Sequence, residues 1–142
     1  MRLNTKHFGE MEADEDKLIV FNEGIPGFET LRRFLLIAED EEEDGFFYWL
    51  QSVEEPQTAF LLIDMIRFKP DYDPRVEATQ VESLESVNPE DFVIYNIAVM
   101  PEDVKQMTIN LRAPIVINPA AQLGKQVICM NEEYSVKHYL FA

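Results

Sequence analysis

The chain has 142 residues, enough for one domain with a real core and too few for two comfortable ones. Its 27 acidic against 12 basic side chains leave a formal net charge of −15. Such a surface disfavours nucleic-acid phosphates and anionic membranes and attracts basic partners, with solubility as the competing reason for the acidity. A hydrophobic content of 46% excludes a disordered chain.

In chain order, MRLNTKHFGE opens without the apolar stretch of a signal peptide. Residues 2–16 alternate loosely through Leu3, Thr5, His7 and Gly9, then fill with Glu10, Glu12, Asp14, Glu15 and Asp16, reading as an edge-like strand or hairpin. KLIVF at residues 17–21 predicts a firmer, β-branched strand. In NEGIPGFE, Gly24 and Gly27 are free to take positive φ, and Pro26 stiffens the chain between them. Gly24, Pro26, Gly27 and Phe28 therefore read as a rigid structural turn. Phe28, Leu31 and Phe34 recur at spacing three, which predicts a short helical turn dropping aromatics into the core.

Two apolar runs, residues 34–38 and 46–51, flank EDEEEDG and predict a hairpin with an acidic, solvated tip. TAFLLID at 58–64 reads as a central strand, RFKPDYDP at 67–74 as a proline-bounded loop, and 76–88 as polar and poorly periodic. DFVIYNIAVM at 91–100 predicts a long strand, and 101–107 one helical turn with Pro101 at its start. TINLRAPIVIN at 108–118 places Ile109, Leu111, Ala113, Ile115 and Ile117 on one face, the period of a half-buried strand. Pro114 marks a bulge, bend or edge in it, and Asn118-Pro119 stops it. QVICM at 126–130, past Gly124, is its expected antiparallel partner, and 134–141 is a last alternating run. Many short strands and few helical stretches predict an all-β single domain over residues 1–142. The expected form is a small antiparallel barrel with one or two short helical turns, because closure removes exposed edges.

Little in the sequence assembles chemistry. Residues 40–45 mimic the start of a calcium loop, but the twelfth position is Gln51 and the flanks are strand-like. GIPG lacks both the N–H groups and the lysine of a phosphate loop. His7 and His138 have no evident third ligand, and Ser52, Ser83, Ser86 and Ser135 sit in no nucleophile elbow. Asp64 with Asp71 or Asp73 reads equally as an acid/base couple or as a charged loop. Cys129, alone in an apolar run, predicts a buried thiol with no intrachain disulfide, in keeping with a reducing cytosol. No run approaches the roughly 18 apolar residues of a membrane span. The reading has no catalytic residue, no cofactor and no metal.

Taken together, TINLRAPIVIN, FNEGIPGFE, FKPDY, the opening Thr5-Lys6-His7-Phe8-Gly9 and the closing GKQVICMNEEYSVKH resemble the FliW family of flagellar assembly factors. The motifs stand in the family's order over nearly the whole chain. Two departures are Asp64-Met65, where Asp-Pro is expected, and the length of the acidic tip at residues 39–44. The resemblance implies a non-enzymatic, cytoplasmic, barrel-like protein that binds flagellin before export. It also implies binding to CsrA, an RNA-binding translational repressor, and relief of its repression of flagellin mRNA.

For such a protein, a monomer on its own, the outward face of residues 108–118 is the candidate partner surface: Asn110, Arg112 and Asn118 with Pro114 and the adjacent Met107. The candidate acidic surface is Glu10, Glu12, Asp14, Glu15 and Asp16 together with Glu39, Asp40, Glu41, Glu42, Glu43 and Asp44. No direct nucleic-acid or membrane binding is expected. The competing class is a small-molecule-binding barrel or minor hydrolase with a pocket inside the sheet.

Overall fold

The apolar runs between residues 18 and 126 pair edge to edge until the sheet meets itself. This is seen in a computed structural model that describes residues 1–39 and 45–141. Its strands are β1 (Arg2–Thr5), β2 (Gly9–Glu12), β3 (Leu18–Val20), β4 (Arg33–Ala38), β5 (Phe47–Ser52) and β6 (Ala59–Ile63), then β7 (Val93–Val99), β8 (Thr108–Ile109), β9 (Ile115–Asn118), β10 (Leu123–Gln126) and β11 (His138–Tyr139). Two single helical turns, α1 (Met65–Phe68) and α2 (Ala78–Val81), and short 3-10 turns join them.

β3 to β7 form an antiparallel meander. β7 then pairs with β9, β9 with β10, and β10 returns to β3 in parallel at Leu123 opposite Val20, closing a seven-strand ring. Alternate residues of the ring strands fill its interior: Phe21, Phe34, Leu50, Leu62, Ile115 and Ile117 are all at most 1% exposed. The all-β barrel expected from the sequence is the observed fold.

The other face of the ring is also covered, which is why strands such as Leu61-Leu62-Ile63 are apolar on both sides. Met65, Tyr72, Met107, Ile109 and Leu111 pack outside β6 and β7. The β1–β2 hairpin packs Leu3 and Ala13 on Leu18 and Leu35. Val81, Leu84 and Val127 cover Val116.

Several expectations need correction. Residues 108–118 run along β7 as two strand pieces, not one: Ile109 faces Ala98 and Ile115 faces Tyr95, so three extra residues bulge out between them, at the bulge that Pro114 marked. The chain between them turns, with Asn110 Oδ1 accepting from the Ala113 N–H at 2.9 Å. The even-numbered Val116 is buried as fully as its odd neighbours, so β9 has no solvent face. Its partner β10 starts at Leu123, upstream of the expected 126–130 run, with Gly124 inside the strand. Residues 28–34 form no helix. Phe28 N–H donates to Ile25 at 2.6 Å and Leu31 N–H to Phe28 at 3.0 Å, two successive tight turns. Phe28 is consequently 41% exposed, edge-on to Phe60, while Phe34 alone of the three enters the core. The stretch 76–88, read as polar and poorly periodic, holds α2 and a 3-10 turn at Glu82–Leu84. Of residues 134–141 only His138–Tyr139 is strand.

Candidate functional site

The turn after β3 takes the conformation its glycines permit. Gly24 and Gly27 lie at φ +68° and +88°. Gly27 N–H donates to Glu29 Oε1 at 3.0 Å. That bond, with one from Glu29's own N–H, holds the Glu29 carboxyl below the usual carboxylate range. Pro26 and Phe28 are exposed on the outside of this turn, so it is rigid without being hidden.

The strand-face residues do not stand together at the surface. Met107 is 1% exposed and Pro114 is buried, its carbonyl accepting from Val127 N–H at 3.0 Å. Asn118 is 4% exposed, with Nδ2 donating to the Leu84 carbonyl at 2.7 Å. Splitting the run at residues 110–114 turned this set inward. Asn110 and Arg112 remain half-buried, and Arg112 Nε donates to the Cys129 carbonyl at 3.0 Å, tying the turn to the following segment. The Cys129 thiol is buried, as expected.

The acidic residues are the part that the fold gathers. Glu10 and Glu12 project from the same face of β2, exposed, and share Arg2 across the hairpin, Nε to carboxylate at 2.9 and 3.9 Å. Asp14 caps the following 3-10 turn by accepting from Asp16 N–H at 2.9 Å, and Glu15 and Asp16 stay exposed. Across a groove between this hairpin and β4, Glu12 and Asp14 face Ile37 and Ala38. Glu39 follows at the end of β4, accepting from the Trp49 indole N–H, and the His7 ring stacks on the same Trp49 at 3.8 Å. The hairpin and Glu39, far apart in sequence, therefore meet over Trp49 on one side of the ring. Asp40, Glu41, Glu42, Glu43 and Asp44 lie outside the described residues, and with them the calcium-like loop.

The remaining acids have local duties. Asp64 caps α1 by accepting from Arg67 N–H at 3.3 Å and lies 3.9 Å from its guanidinium. Among the described residues no group of three or more His, Cys, Asp or Glu is placed to hold a metal ion. None of their helices is long and apolar enough to cross a membrane.

Sequence reasoning missed the excursion between α1 and β7. Its signals were present: Val81 and Leu84 at spacing three, and Glu77 with Gln80, whose side chain accepts from Glu77 N–H at 3.3 Å in half of a capping box.

A family model described as FliW protein matches residues 2–140. Curated relatives named flagellar assembly factor FliW include one from Caldanaerobacter subterraneus subsp. tengcongensis, 47% identical over 97% of this chain and 91% of its own length. Another, from Caldicellulosiruptor saccharolyticus, is 42% identical over 98% of this chain and 90% of its own. A crystal structure of the flagellar assembly factor FliW superposes with a TM-score of 0.89 at 35% identity, covering 100% of this chain and 98% of the other. Matches of this identity over essentially the whole length place the chain in the FliW family.

Proposed function

We propose that this chain is a non-enzymatic flagellar assembly factor of the cytoplasm. In this reading it holds flagellin before export and, when free of flagellin, binds CsrA and lifts its repression of flagellin mRNA. Family membership supports the assembly role. The observation that carries the CsrA arm is that the acidic β1–β2 hairpin, through His7, and Glu39 both reach Trp49 on a chain of formal charge −15. An RNA-binding protein presents a basic groove, and an acidic face set beside it repels phosphates without filling it. At physiological salt the Debye length is about 8 Å, so only acids close to that groove act. Asn110 and Arg112, the partly exposed members of the strand set, lie along the edge of β7 and are a second candidate contact apart from that face. Against the rival reading of a barrel with an internal substrate pocket stands an interior occupied by large apolar side chains.

The test neutralises residues 10–16 and 39–44 separately, Glu to Gln and Asp to Asn, and measures CsrA association, its salt dependence and RNA release. One variant is expected to bind CsrA more slowly and release RNA poorly while retaining flagellin. Parental RNA release by both variants would overturn the electrostatic mechanism. Failure of the parent to retain either protein would overturn the function.

A further inference from the structure

We propose that the outer wall of the barrel at β7 and β9 carries a docking groove for a short amphipathic helix of a protein partner, one with aliphatic anchors and flanking lysines or arginines. The excursion between α1 and β7 lies over the wall instead of joining the sheet. Ile94 and Val116, opposite one another in register, form the floor; Val81 and Phe92 form the sides, and Ala78 and Val87 the lips. The cavity has a volume of about 320 Å³, near the lower end of the range of roughly 300–1,000 Å³ typical of ligand sites. Val87, at 57% exposure, is presented to solvent by a loop that could have placed any polar residue there.

Charge and hydrogen bonding select the occupant. Asp71, Asp73, Glu77, Glu82, Glu85, Glu90 and Asp91 are all exposed along this excursion, against two bases, Arg75 and the half-buried Lys69. Asp73 lines the groove itself, Glu77 precedes the Ala78 lip, and Glu90 and Asp91 form the 3-10 turn beside the other. An anionic ligand is repelled by this rim, and a wholly apolar one leaves it unpaired. A segment with a central apolar stripe and basic ends satisfies both parts. It docks as a helix, because the floor offers no strand edge: Val116 pairs with Ile94 on one side and Lys125 on the other. Anchors at i, i+3 or i+4 and i+7 fit such a trough. The groove is also separate from the acidic face over Trp49. In the ring order β7-β6-β5-β4-β3-β10-β9, Trp49's strand β5 lies two strands from β7 and three from β9, and β4 three from each. The inference thus stands apart from the flagellin and CsrA reading.

The experiment titrates the isotope-labelled full chain with three synthetic peptides, followed by NMR. The first is an amphipathic leucine–lysine helix, the second a scramble of the same composition, and the third its leucine–glutamate counterpart. Shifts from the first are expected at Ala78, Val81, Val87, Phe92 and Ile94, with weak or absent binding by the other two. Val87→Asn should weaken binding at least about fivefold, the scale of losing one apolar anchor, while Val136→Asn, at a still more exposed site elsewhere, should not. Asp73→Asn combined with Glu90→Gln should flatten the salt dependence. Melting temperatures check folding, and Ala78→Gln replaces Val87→Asn should the latter unfold. Absence of binding, shifts spread over residues 10–16, equal binding of the scramble or the glutamate peptide, or indifference to both lip variants would each overturn the proposal.

Discussion

The Tyr72 hydroxyl donates to the Leu111 carbonyl at 2.7 Å, joining residues 39 apart in sequence beneath the outer cluster. Asn96 Nδ2 donates to the same hydroxyl and to the Asn110 carbonyl, both at 2.9 Å, while Asn96 Oδ1 is buried with no partner among the described residues. Burial pushes the Tyr72 hydroxyl pKa far up, so it keeps its donor proton. This polar node holds the turn at residues 110–114 against β7. Tyr72→Phe leaves the buried Leu111 carbonyl only the weak Cys129 thiol donor at 3.8 Å and should cost about 1–3 kcal/mol in chemical unfolding. An unchanged unfolding midpoint would remove the node from the account.

Gly24 and Gly27 share a left-handed backbone but not the same surroundings. A Cβ at Gly24 would lie 2.5 Å from Glu29 Cα, whereas one at Gly27 meets nothing within 4 Å. Gly27→Ala should therefore cost only the conformational term, about 1–2 kcal/mol. Gly24→Ala should cost distinctly more, with Gly24→Val worse again. Urea midpoints at constant m-value separate them. Equal losses would show that the backbone at Glu29 yields.

Ile115 and Ile117 are at 0% and 1% exposure inside the ring. Each to Ala should destabilise by about 2–5 kcal/mol. The exposed Val136 offers the comparison, and its replacement by Ala should stay within about 0.5 kcal/mol. Thermal unfolding of the three variants decides it.

Glu54 makes a pH-dependent contribution. Burial raises its pKa, but donation from the Arg33 and Arg32 backbone N–H groups and the Arg33 guanidinium outweighs that and lowers it. The folded carboxyl thus takes up its proton at lower pH than the unfolded one. Its stabilisation is present above the ordinary value of 4.5 and is lost as pH falls through the folded value. Glu54→Gln should be less stable at neutral pH, and its deficit should shrink on acidification below about 4.5. A deficit constant with pH would assign the effect to geometry alone.

What the sequence disclosed follows the range of its signals. Runs such as LIV at 18–20 and AFLLI at 59–63 announce themselves because both of their faces are packed. The GIPG turn does so because only glycine reaches its torsions comfortably. The inward fate of Met107, Pro114 and Asn118 was hidden, because alternation specifies which residues share a face but not where a run breaks. The break falls where three extra residues bulge away from β7 between its pairings with Ile109 and Ile115, which the alternation alone does not mark. Residues 76–92 stayed obscure for another reason. Their apolar side chains answer to the barrel wall, not to a periodicity of their own. The approach of the β1–β2 hairpin to Glu39 was equally invisible, since it depends on Trp49 meeting His7 and Glu39 at once.

The parallel seam between β3 and β10 has a consequence for when this protein can exist. Leu123 faces Val20, Gln122 Nε2 donates to the Leu18 carbonyl at 2.9 Å, and Gly124 leaves room where a Cβ would stand 2.6 Å from the Phe21 ring. The two sides of the seam are about a hundred residues apart, so the meander from β3 to β7 can assemble while both of its outer edges are still bare. On a ribosome those edges wait for residues 115–126 to emerge, and for several seconds, at about 5–20 residues per second, the nascent protein is an open sheet. Closure is then a late step burdened by the entropy of joining distant chain ends. The same Gly124 that completes the ring therefore also ends the interval in which one half-made copy can pair with another.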